Sequence, residues 1–179
     1  MPEFYEMTIA GLKRQLPICP ISEKLDIAAF ILLGDVELTV ACAEALLKKA
    51  PDFDIILTPE AKSITLAYEM AKMSGKPYLV ARKSAKLYMK SPIFVEVKSI
   101  TTASVQRLYI DSKDAEKMKE KRVLIVDDVI STGKSLEAVD TLVEKSGGEI
   151  CAQMAVLAEG DAAQRKDILF LEPLPLFFK

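Results

Sequence analysis

Residues 123–126, Val-Leu-Ile-Val, and the two aspartates that follow them constrain the fold of this chain most strongly. The run does not alternate between apolar and polar residues, which is typical of a strand buried on both faces near the centre of a parallel sheet. Asp127 and Asp128 end the predicted strand, a loop follows over residues 129–134, and a helix is predicted to begin near Ser135. Ligands of open parallel sheets bind at the carboxyl ends of the strands, so this loop is a predicted binding site.

The rest of the chain alternates short β-branched runs with longer segments whose apolar residues recur at helical spacing. Asp35 is placed to cap the first predicted helix, and glycines close the other two. This pattern predicts an α/β fold with a central, mostly parallel sheet flanked by helices. The predicted strands are 54–58, 78–82, 123–127 and 152–158, and the predicted helices are 35–49, 63–74 and 135–146.

Two further segments have no place in this simple alternation. Residues 93–98 and 105–110 are predicted to form either a hairpin or a long mobile excursion around a hydroxyl-rich stretch. The charged run 111–122 is predicted to be a solvated turn before the central strand.

Composition limits the classes of protein that this chain can belong to. Half of its 179 residues are hydrophobic, which suits a single domain over residues 1–179. The formal net charge of -2 argues against a nucleic-acid partner. No apolar run reaches the roughly 20 residues that span a bilayer, and the N-terminal residues lack the pattern of a signal peptide. We therefore expect a cytoplasmic protein without a membrane partner.

The cysteine and histidine counts narrow the chemistry. Cys19, Cys42 and Cys151 are odd in number and widely spaced, so we expect buried, small apolar residues rather than disulfides or a zinc site. The sequence has no histidine. Mechanisms that need a histidine base, a histidine metal ligand or the usual catalytic triad are excluded.

The loop after the aspartates has the composition of an anion site. Ser131, Thr132 and Ser135 supply hydroxyl donors, Gly133 lets the backbone approach a ligand closely, and the start of a helix adds free N–H groups. Carboxylates repel a phosphate, but they accept hydrogen bonds from vicinal hydroxyls or lie near a cation that bridges sugar and phosphate. The predicted ligand is a sugar phosphate.

Two other interpretations fit parts of this segment. A Walker-type nucleotide loop requires glycine six residues before the lysine, and that position is Asp128. The segment could also be only a core strand followed by a helix cap, although adjacent acids before such a loop are uncommon in that setting.

The segment VLIVDDVISTGKS, residues 123–135, resembles the signature of the type I phosphoribosyltransferases. The likeness extends from about residue 30 to residue 159 and is closest to the adenine and xanthine branch. It implies a small N-terminal hood, over about residues 1–34, and a flexible lid loop over residues 98–109. The C-terminal tail, residues 171–179, could complete the hood, cover a base pocket or form part of a dimer contact.

The resemblance implies that the ligand is 5-phosphoribosyl 1-pyrophosphate (PRPP), with Mg2+ carried by PRPP. Asp127 and Asp128 would hold the ribose 2- and 3-hydroxyls and serve as the catalytic pair. Lys134 stands where the family loop has its second glycine, and either its backbone N–H or its ammonium would contact phosphate. The remaining implied contacts to the ribose and the 5-phosphate are Val129, Ile130, Ser131, Thr132, Gly133 and Ser135.

Two further segments resemble the pyrophosphate-binding parts of the same branch. The first carries lysine in place of the family's arginine and serine in place of its glycine; its residues are Glu60, Ala61, Lys62 and Ser63. The second places three cations just beyond a predicted strand, namely Arg82, Lys83 and Lys86. Such a cluster suits a polyanion. Read without the resemblance, Lys62 is more often a surface lysine and the second cluster a solvated turn.

The base site is the least recognisable part of the sequence. The resemblance implies that Phe30 stacks on a purine and that the backbone of Ala29 reads the ring edge, although a buried core phenylalanine is an equal alternative. Adenine-specific relatives carry a glutamate near the centre of the lid, where this chain has Thr101 and Thr102. The general acid therefore stays open.

The function that the resemblance implies is phosphoribosyl transfer from PRPP to a purine base in a homodimeric enzyme of purine salvage. Adenine is the first choice of base, and hypoxanthine, guanine and xanthine are the alternatives. Two other classes remain open. One is a PRPP-sensing regulator, although the roughly 25 residues before the segment that contains Phe30 are few for an added DNA-binding domain. The other is a degenerate homologue that serves as a scaffold or subunit.

Overall fold

The computed structural model describes residues 3–98 and 105–179. The N-terminal strands are β1 (Phe4–Ile9), β2 (Leu12–Ser22) and β3 (Leu25–Ala28). They are followed by α1 (Val36–Leu47), β4 (Ile55–Pro59), α2 (Ile64–Ser74) and β5 (Tyr78–Ala81). Next come β6 (Ile93–Lys98), β7 (Val105–Ile110), α3 (Ser112–Met118), β8 (Arg122–Ile130) and α4 (Lys134–Lys145). The C-terminal part contains β9 (Glu149–Glu159), a 3-10 helix (Gly160–Gln164), β10 (Leu169–Leu174) and β11 (Leu176–Phe178).

A five-stranded parallel sheet in the order β10-β9-β8-β4-β5 forms the centre of the protein. Its middle strand is β8, and all four apolar residues 123–126 are buried. Alternate side chains of a strand point to opposite faces. Leu124 and Val126 accordingly pack in the cluster that contains α1 and α2, whereas Val123 and Ile125 pack with α3 and α4. The predicted α/β fold with a mostly parallel sheet is confirmed.

A second, antiparallel sheet in the order β1-β2-β3-β11 covers one side of this core. Ile9, Leu16 and Phe30 belong to the same hydrophobic cluster as α1 and α2, so the two sheets share a core. The C-terminal segment joins both sheets, because β10 pairs with β9 in parallel and β11 pairs with β3 antiparallel. Among the described helices, none has the length and apolarity needed to cross a bilayer.

The structure corrects several predicted boundaries. The strand predicted over 123–127 continues through both aspartates to Ile130, because it stays paired with β9 as far as Ile130 and Ala158. The prediction of a turn over residues 111–122 is wrong for its first half, where α3 buries Ala115 and Met118 against the core. Of the two alternatives for the segments around residues 93–110, β6 and β7 form the antiparallel hairpin.

The three cysteines are all free thiols, but only Cys42 is fully buried. Cys19 and Cys151 are partly exposed, so the expectation of three buried cysteines holds for one of them. Asp35 caps α1 as predicted, with its side chain accepting a hydrogen bond from the backbone N–H of Leu38 at 3.0 Å.

An ion pair between a buried carboxylate and a partly exposed lysine ties residue 179 to the antiparallel sheet. Asp26 on β3 is only 5% exposed, and Lys179 Nζ lies 2.7 Å from its Oδ1. We expect Lys179→Met to lower the free energy of unfolding by about 2 kcal/mol, because the buried carboxylate loses its cation. Urea unfolding measures this change. The control Lys76→Met alters an exposed lysine and should change stability by less than about 0.5 kcal/mol. Equal stabilities of the two variants would contradict a structural role for the pair.

Candidate active site

The candidate site is a cleft of about 870 Å³ at the carboxyl ends of β4, β5 and β8. The loops that connect the parallel strands to the elements after them lie at this edge of the sheet. Side chains that are distant in sequence therefore converge there. The cleft is lined by predicted site residues from three segments: Glu60, Ala61, Lys62, Lys83, Asp127, Asp128, Val129 and Ser135. A smaller adjoining cavity of about 100 Å³ lies in the loop after β8 and adds Ile130, Ser131, Thr132 and Gly133.

The two aspartates differ in their surroundings. Asp128 is only 3% exposed, and the Lys62 ammonium lies 2.6 Å from its Oδ2 as an ion pair without hydrogen-bond alignment. Asp127 Oδ1 accepts hydrogen bonds from the Asp128 backbone N–H at 2.8 Å and from Ser63 Oγ at 3.1 Å. Burial, and next the negative charge of Asp128, raise the pKa of Asp127 above its ordinary value. Two carboxylates are therefore held close together and largely away from bulk water.

Glu60 joins the loops that follow β4 and β5. Its Oε2 accepts a hydrogen bond from the Lys83 backbone N–H at 2.8 Å and one from Arg82 Nε at 3.1 Å. The Lys83 N–H first, and the charge of Arg82 after it, hold the pKa of Glu60 below its ordinary value despite partial burial. The peptide between Glu60 and Ala61 is cis. Glu60 thus fixes the position of two predicted pyrophosphate-binding loops relative to each other.

The predicted cations divide into two groups. Lys62 and Lys83 line the cleft. The side chain of Arg82 is instead bonded to Glu60. The Arg82 backbone N–H donates to the Tyr109 carbonyl at 2.8 Å, and the Tyr109 N–H donates to the Arg82 carbonyl at 2.7 Å. Lys86 donates to Ser84 Oγ at 2.7 Å and is also outside the lining of the cleft. In this conformation, two of the four cations predicted to bind pyrophosphate line the cleft.

The loop after β8 has the geometry expected of an anion site. Gly133 has a φ of 80° in the left-handed region, which glycine adopts without strain. Lys134 follows as the first residue of α4, so the lysine that replaces a family glycine does not carry the positive φ. Ser135 and Leu136, in the first turn of α4, line the smaller cavity, and the free N–H groups of a helix N-terminus suit an anion there.

The two predicted base-binding residues do not line the cleft. Phe30 is 5% exposed and packs in the core with Ile9 and Leu16. The Ala29 backbone N–H donates to the Pro17 carbonyl at 2.8 Å. Of the two alternatives for Phe30, this structure shows the core position, and its stacking role stays a prediction. Thr101 and Thr102 of the predicted lid lie outside the described residues.

The hairpin adds residues that sequence reasoning missed. Arg107, Leu108 and Tyr109 of β7 also line the cleft. The Arg107 guanidinium pairs with Glu96 at 2.7 Å and lies 5.3 Å from the centre of the Phe94 ring. The available signal was their position within the predicted lid, residues 98–109, but they were not predicted to line the cleft. A strand pattern alone does not show which cleft its residues face.

The fold is that of an α/β protein with a cleft at the carboxyl edge of its parallel sheet, and acidic, basic and hydroxyl side chains line this cleft. The phosphoribosyl transferase domain family model matches residues 37–171. The chain belongs to this family, so the resemblance to the type I phosphoribosyltransferases is confirmed.

Several known proteins are similar to this chain. Adenine phosphoribosyltransferase of Thermotoga petrophila is 40% identical over 108 residues, which cover 60% of each protein. Hypoxanthine/guanine phosphoribosyltransferase of Methanocella paludicola is 34% identical over 145 residues, 80% of this chain and 69% of that relative. The match thus spans about 60% of the length of the Thermotoga relative.

Solved structures agree on the fold. The crystal structure of adenine phosphoribosyltransferase from Thermoanaerobacter pseudethanolicus superposes with a TM-score of 0.67 at 23% identity, covering 96% of this chain and 95% of that one. The Saccharomyces cerevisiae enzyme, solved in complex with an imino-altritol bisphosphate and adenine, gives a TM-score of 0.67 at 17% identity, covering 94% and 93%. At these identities the superpositions show a shared fold.

Proposed function

We propose that this protein transfers the 5-phosphoribosyl group of PRPP to a purine base, releasing pyrophosphate and forming a nucleoside monophosphate in purine salvage. The observation that carries the proposal is the convergence of three groups on one cleft. These are the paired carboxylates Asp127 and Asp128, the hydroxyl-rich loop at the start of α4, and the cations Lys62 and Lys83. Each group suits one part of PRPP: the ribose hydroxyls, the 5-phosphate and the pyrophosphate.

In the proposed reaction, a purine nitrogen forms a bond to the anomeric carbon while the bond from that carbon to pyrophosphate breaks, and the proton that the nitrogen loses is taken up by the released pyrophosphate. Positive charge grows on the ribose and negative charge on the leaving group. Asp127 and Asp128 are the proposed catalytic pair, since they orient the ribose through its hydroxyls and place negative charge near it. Lys62 and Lys83 stabilise the departing pyrophosphate. The reaction requires no covalent bond between the protein and the substrate.

Binding of PRPP requires the pair of Lys62 and Asp128 to separate. The ion pair at 2.6 Å occupies a carboxylate oxygen that the proposal assigns to a ribose hydroxyl. Pyrophosphate offers Lys62 a more highly charged partner, and the ribose hydroxyl offers Asp128 a donor. The exchange keeps both groups paired in the complex, which limits its cost.

Mg2+ enters the proposal as part of the substrate. In residues 3–98 and 105–179, no group of three or more Asp, Glu, Cys or His side chains is arranged as a metal site. The lysine-lined cleft fits a Mg2+–PRPP complex in which the substrate's own oxygens provide most of the ligands. Bound there, Mg2+ would neutralise charge on the leaving pyrophosphate.

Adenine is the proposed base, with hypoxanthine, guanine and xanthine as alternatives. Support comes from the names of the relatives, which include adenine and hypoxanthine/guanine phosphoribosyltransferases. The proposed enzyme is cytoplasmic, in keeping with a role in purine salvage, and homodimeric, since dimers are usual in the family. The strongly exposed Leu87 and Tyr88, on the loop after β5, are apolar surface that a second copy could cover.

The proposal is tested by measuring pyrophosphate release from PRPP and Mg2+ with each purine and pyrimidine base in turn. We expect turnover with one purine, adenine first, and none in a blank with the Asp127→Asn, Asp128→Asn protein. Turnover with a pyrimidine alone would contradict the proposed base class. If calorimetry shows PRPP binding but no base supports turnover, the protein is a sensor or a degenerate homologue.

A further inference from the structure

Ser63 lies at the start of α2 but does not behave as a helix cap. Serine is common at this position because its hydroxyl usually accepts a hydrogen bond from a backbone N–H of the first turn. Here the Ser63 side chain makes no such bond, although it is completely buried. A buried hydroxyl needs partners elsewhere. Its partners are therefore informative about its role.

The hydroxyl of Ser63 connects the β4 loop to the catalytic strand β8. Thr58 Oγ1 donates to Ser63 Oγ at 2.8 Å, and Ser63 Oγ lies 3.1 Å from Asp127 Oδ1. A second acceptor, the Pro59 carbonyl, lies 3.2 Å from Ser63 Oγ. Both Thr58 and Ser63 are 0% exposed, so water does not compete for these bonds.

A hydroxyl has one proton, and this arrangement decides where that proton points. Because Thr58 donates to Ser63, the Ser63 proton is available to either Asp127 or the Pro59 carbonyl. An ionised carboxylate is the stronger acceptor of the two. A protonated Asp127 would lose this advantage, and the proton would turn to Pro59. The bond from Ser63 thus favours the ionised form of Asp127.

We infer that Ser63, oriented by Thr58, is a positioning residue that holds Asp127 as an ionised acceptor for a ribose hydroxyl of PRPP. The inference rests on the proposed function. The resemblance to the adenine branch implies glycine at this position, and a glycine has no hydroxyl that could make this contact.

The environment of Asp127 explains why such a bond matters. Burial, and next the adjacent charge of Asp128, raise the pKa of Asp127, whereas the hydrogen bond from Ser63 lowers it. The charged groups near Asp127 are Asp128 on its own strand and Lys62, which the β4 loop brings to Asp128. On the β9 side its neighbour is the uncharged Ala155. Ser63 is the side chain from the β4–α2 segment that donates directly to Asp127.

The test compares Ser63→Ala with the wild type in steady-state kinetics. Removing a hydrogen bond to a buried carboxylate should raise KM for PRPP about tenfold at pH 7, with kcat at saturating PRPP changed less than about threefold. The acid limb of kcat/KM for PRPP should move about one unit to higher pH. The ionisation of PRPP is the same in every assay, so a difference between variants in the acid limb must come from a group of the protein.

Two other variants give the experiment its controls. Thr58→Val keeps the Ser63 hydroxyl but removes the group that orients it, and it should raise KM about threefold. Ser74→Ala removes a serine hydroxyl at the far end of α2, where Oγ donates to the Met70 carbonyl at 2.7 Å, and should leave KM and the pH profile unchanged. The inference is wrong if Ser63→Ala and Ser74→Ala have the same KM and the same acid limb. A wild-type protein that turns over no base would instead overturn the proposed function.

Discussion

A protein that carries both Asp127→Asn and Asp128→Asn is expected to bind PRPP at least about 100-fold more weakly than the wild type. Each substitution replaces a charge-assisted hydrogen bond to a ribose hydroxyl by a neutral one, and bonds to charged groups contribute about 1.5–3 kcal/mol each. Two such losses correspond to two or more powers of ten in affinity. Calorimetric titration with Mg2+–PRPP measures the effect directly and does not depend on the identity of the base.

The same double variant should fold with equal or greater stability above neutral pH. The pKa of Asp127 is raised in the folded protein, so the folded state retains its proton over a pH range in which the unfolded chain has lost it. Stability then falls as pH rises from the ordinary aspartate pKa of about 3.9 through the raised value. Asparagine does not titrate and removes this loss. Lys62 loses its partner at little cost, because 55% of its side chain is exposed.

Asp140→Asn is the matched control for this experiment. Asp140 is a partly buried aspartate on α4 whose Oδ1 accepts from Gln153 Nε2 at 2.6 Å, and it does not line the cleft. The Asp140→Asn variant should therefore bind PRPP with the affinity of the wild type. Retained PRPP binding by the Asp127→Asn, Asp128→Asn protein would remove these two carboxylates from the proposed site. Loss of binding together with loss of the thermal transition would indicate unfolding instead.

Gly133→Val is expected to raise KM for PRPP about 50-fold. A β-branched residue in the left-handed region costs about 1–3 kcal/mol, and the φ of 80° at Gly133 can relax only by moving the loop that precedes α4. Backbone N–H groups then leave the positions from which the proposed 5-phosphate is bound. Steady-state kinetics with varied PRPP, after the base substrate is known, measure the change.

Two further variants separate backbone strain from side-chain crowding. A Cβ at position 133 would approach Arg165 Nη1 to 2.8 Å. Because that atom is the end of a flexible side chain, adding Arg165→Ala should restore little of the lost affinity. Gly75→Val places the same residue type at a φ of 67° in open space at the end of α2. Gly75→Val should lower the free energy of unfolding by the same cost of about 1–3 kcal/mol and leave KM for PRPP unchanged. Full recovery of KM in the protein with both Gly133→Val and Arg165→Ala would show that crowding, not backbone strain, is the cause.

The central sheet and the anion loop were predictable because their signals are local. Four consecutive apolar residues before Asp127 indicate a strand that is covered on both faces, and β8 is that strand. The hydroxyls and Gly133 are adjacent in sequence, so their common loop needs no long-range information. Helix ends were predicted to within two residues for α1, α2 and α4, where Asp35, Gly75 and Gly147 supply the boundary signals.

Predictions failed or stayed incomplete where a residue's role depends on a distant partner. Arg82 has the sequence context of a pyrophosphate ligand, and in this structure Glu60, 22 residues earlier, holds its side chain, so its pyrophosphate contact stays a prediction. Phe30 fits either a base-stacking or a core role by sequence, and only its packing with Ile9 and Leu16 places it in the core. Ala115 and Met118 lie three positions apart in a charged run, which by itself does not indicate a buried helix. Their packing in the core shows that this part of the run is α3.

The sequence by itself determined the α/β class, the central strand and the order of aspartates, hydroxyls and glycine in one loop, because each depends on neighbours in the chain. Only the tertiary structure decided that β11 completes the N-terminal sheet and that Ser63 reaches Asp127, 64 residues away. Hydrophobic periodicity identifies which face of an element is buried but carries no information about which distant segment covers it. Contacts across the chain arise from the packing of whole elements, and the chemistry of the candidate site depends on those contacts.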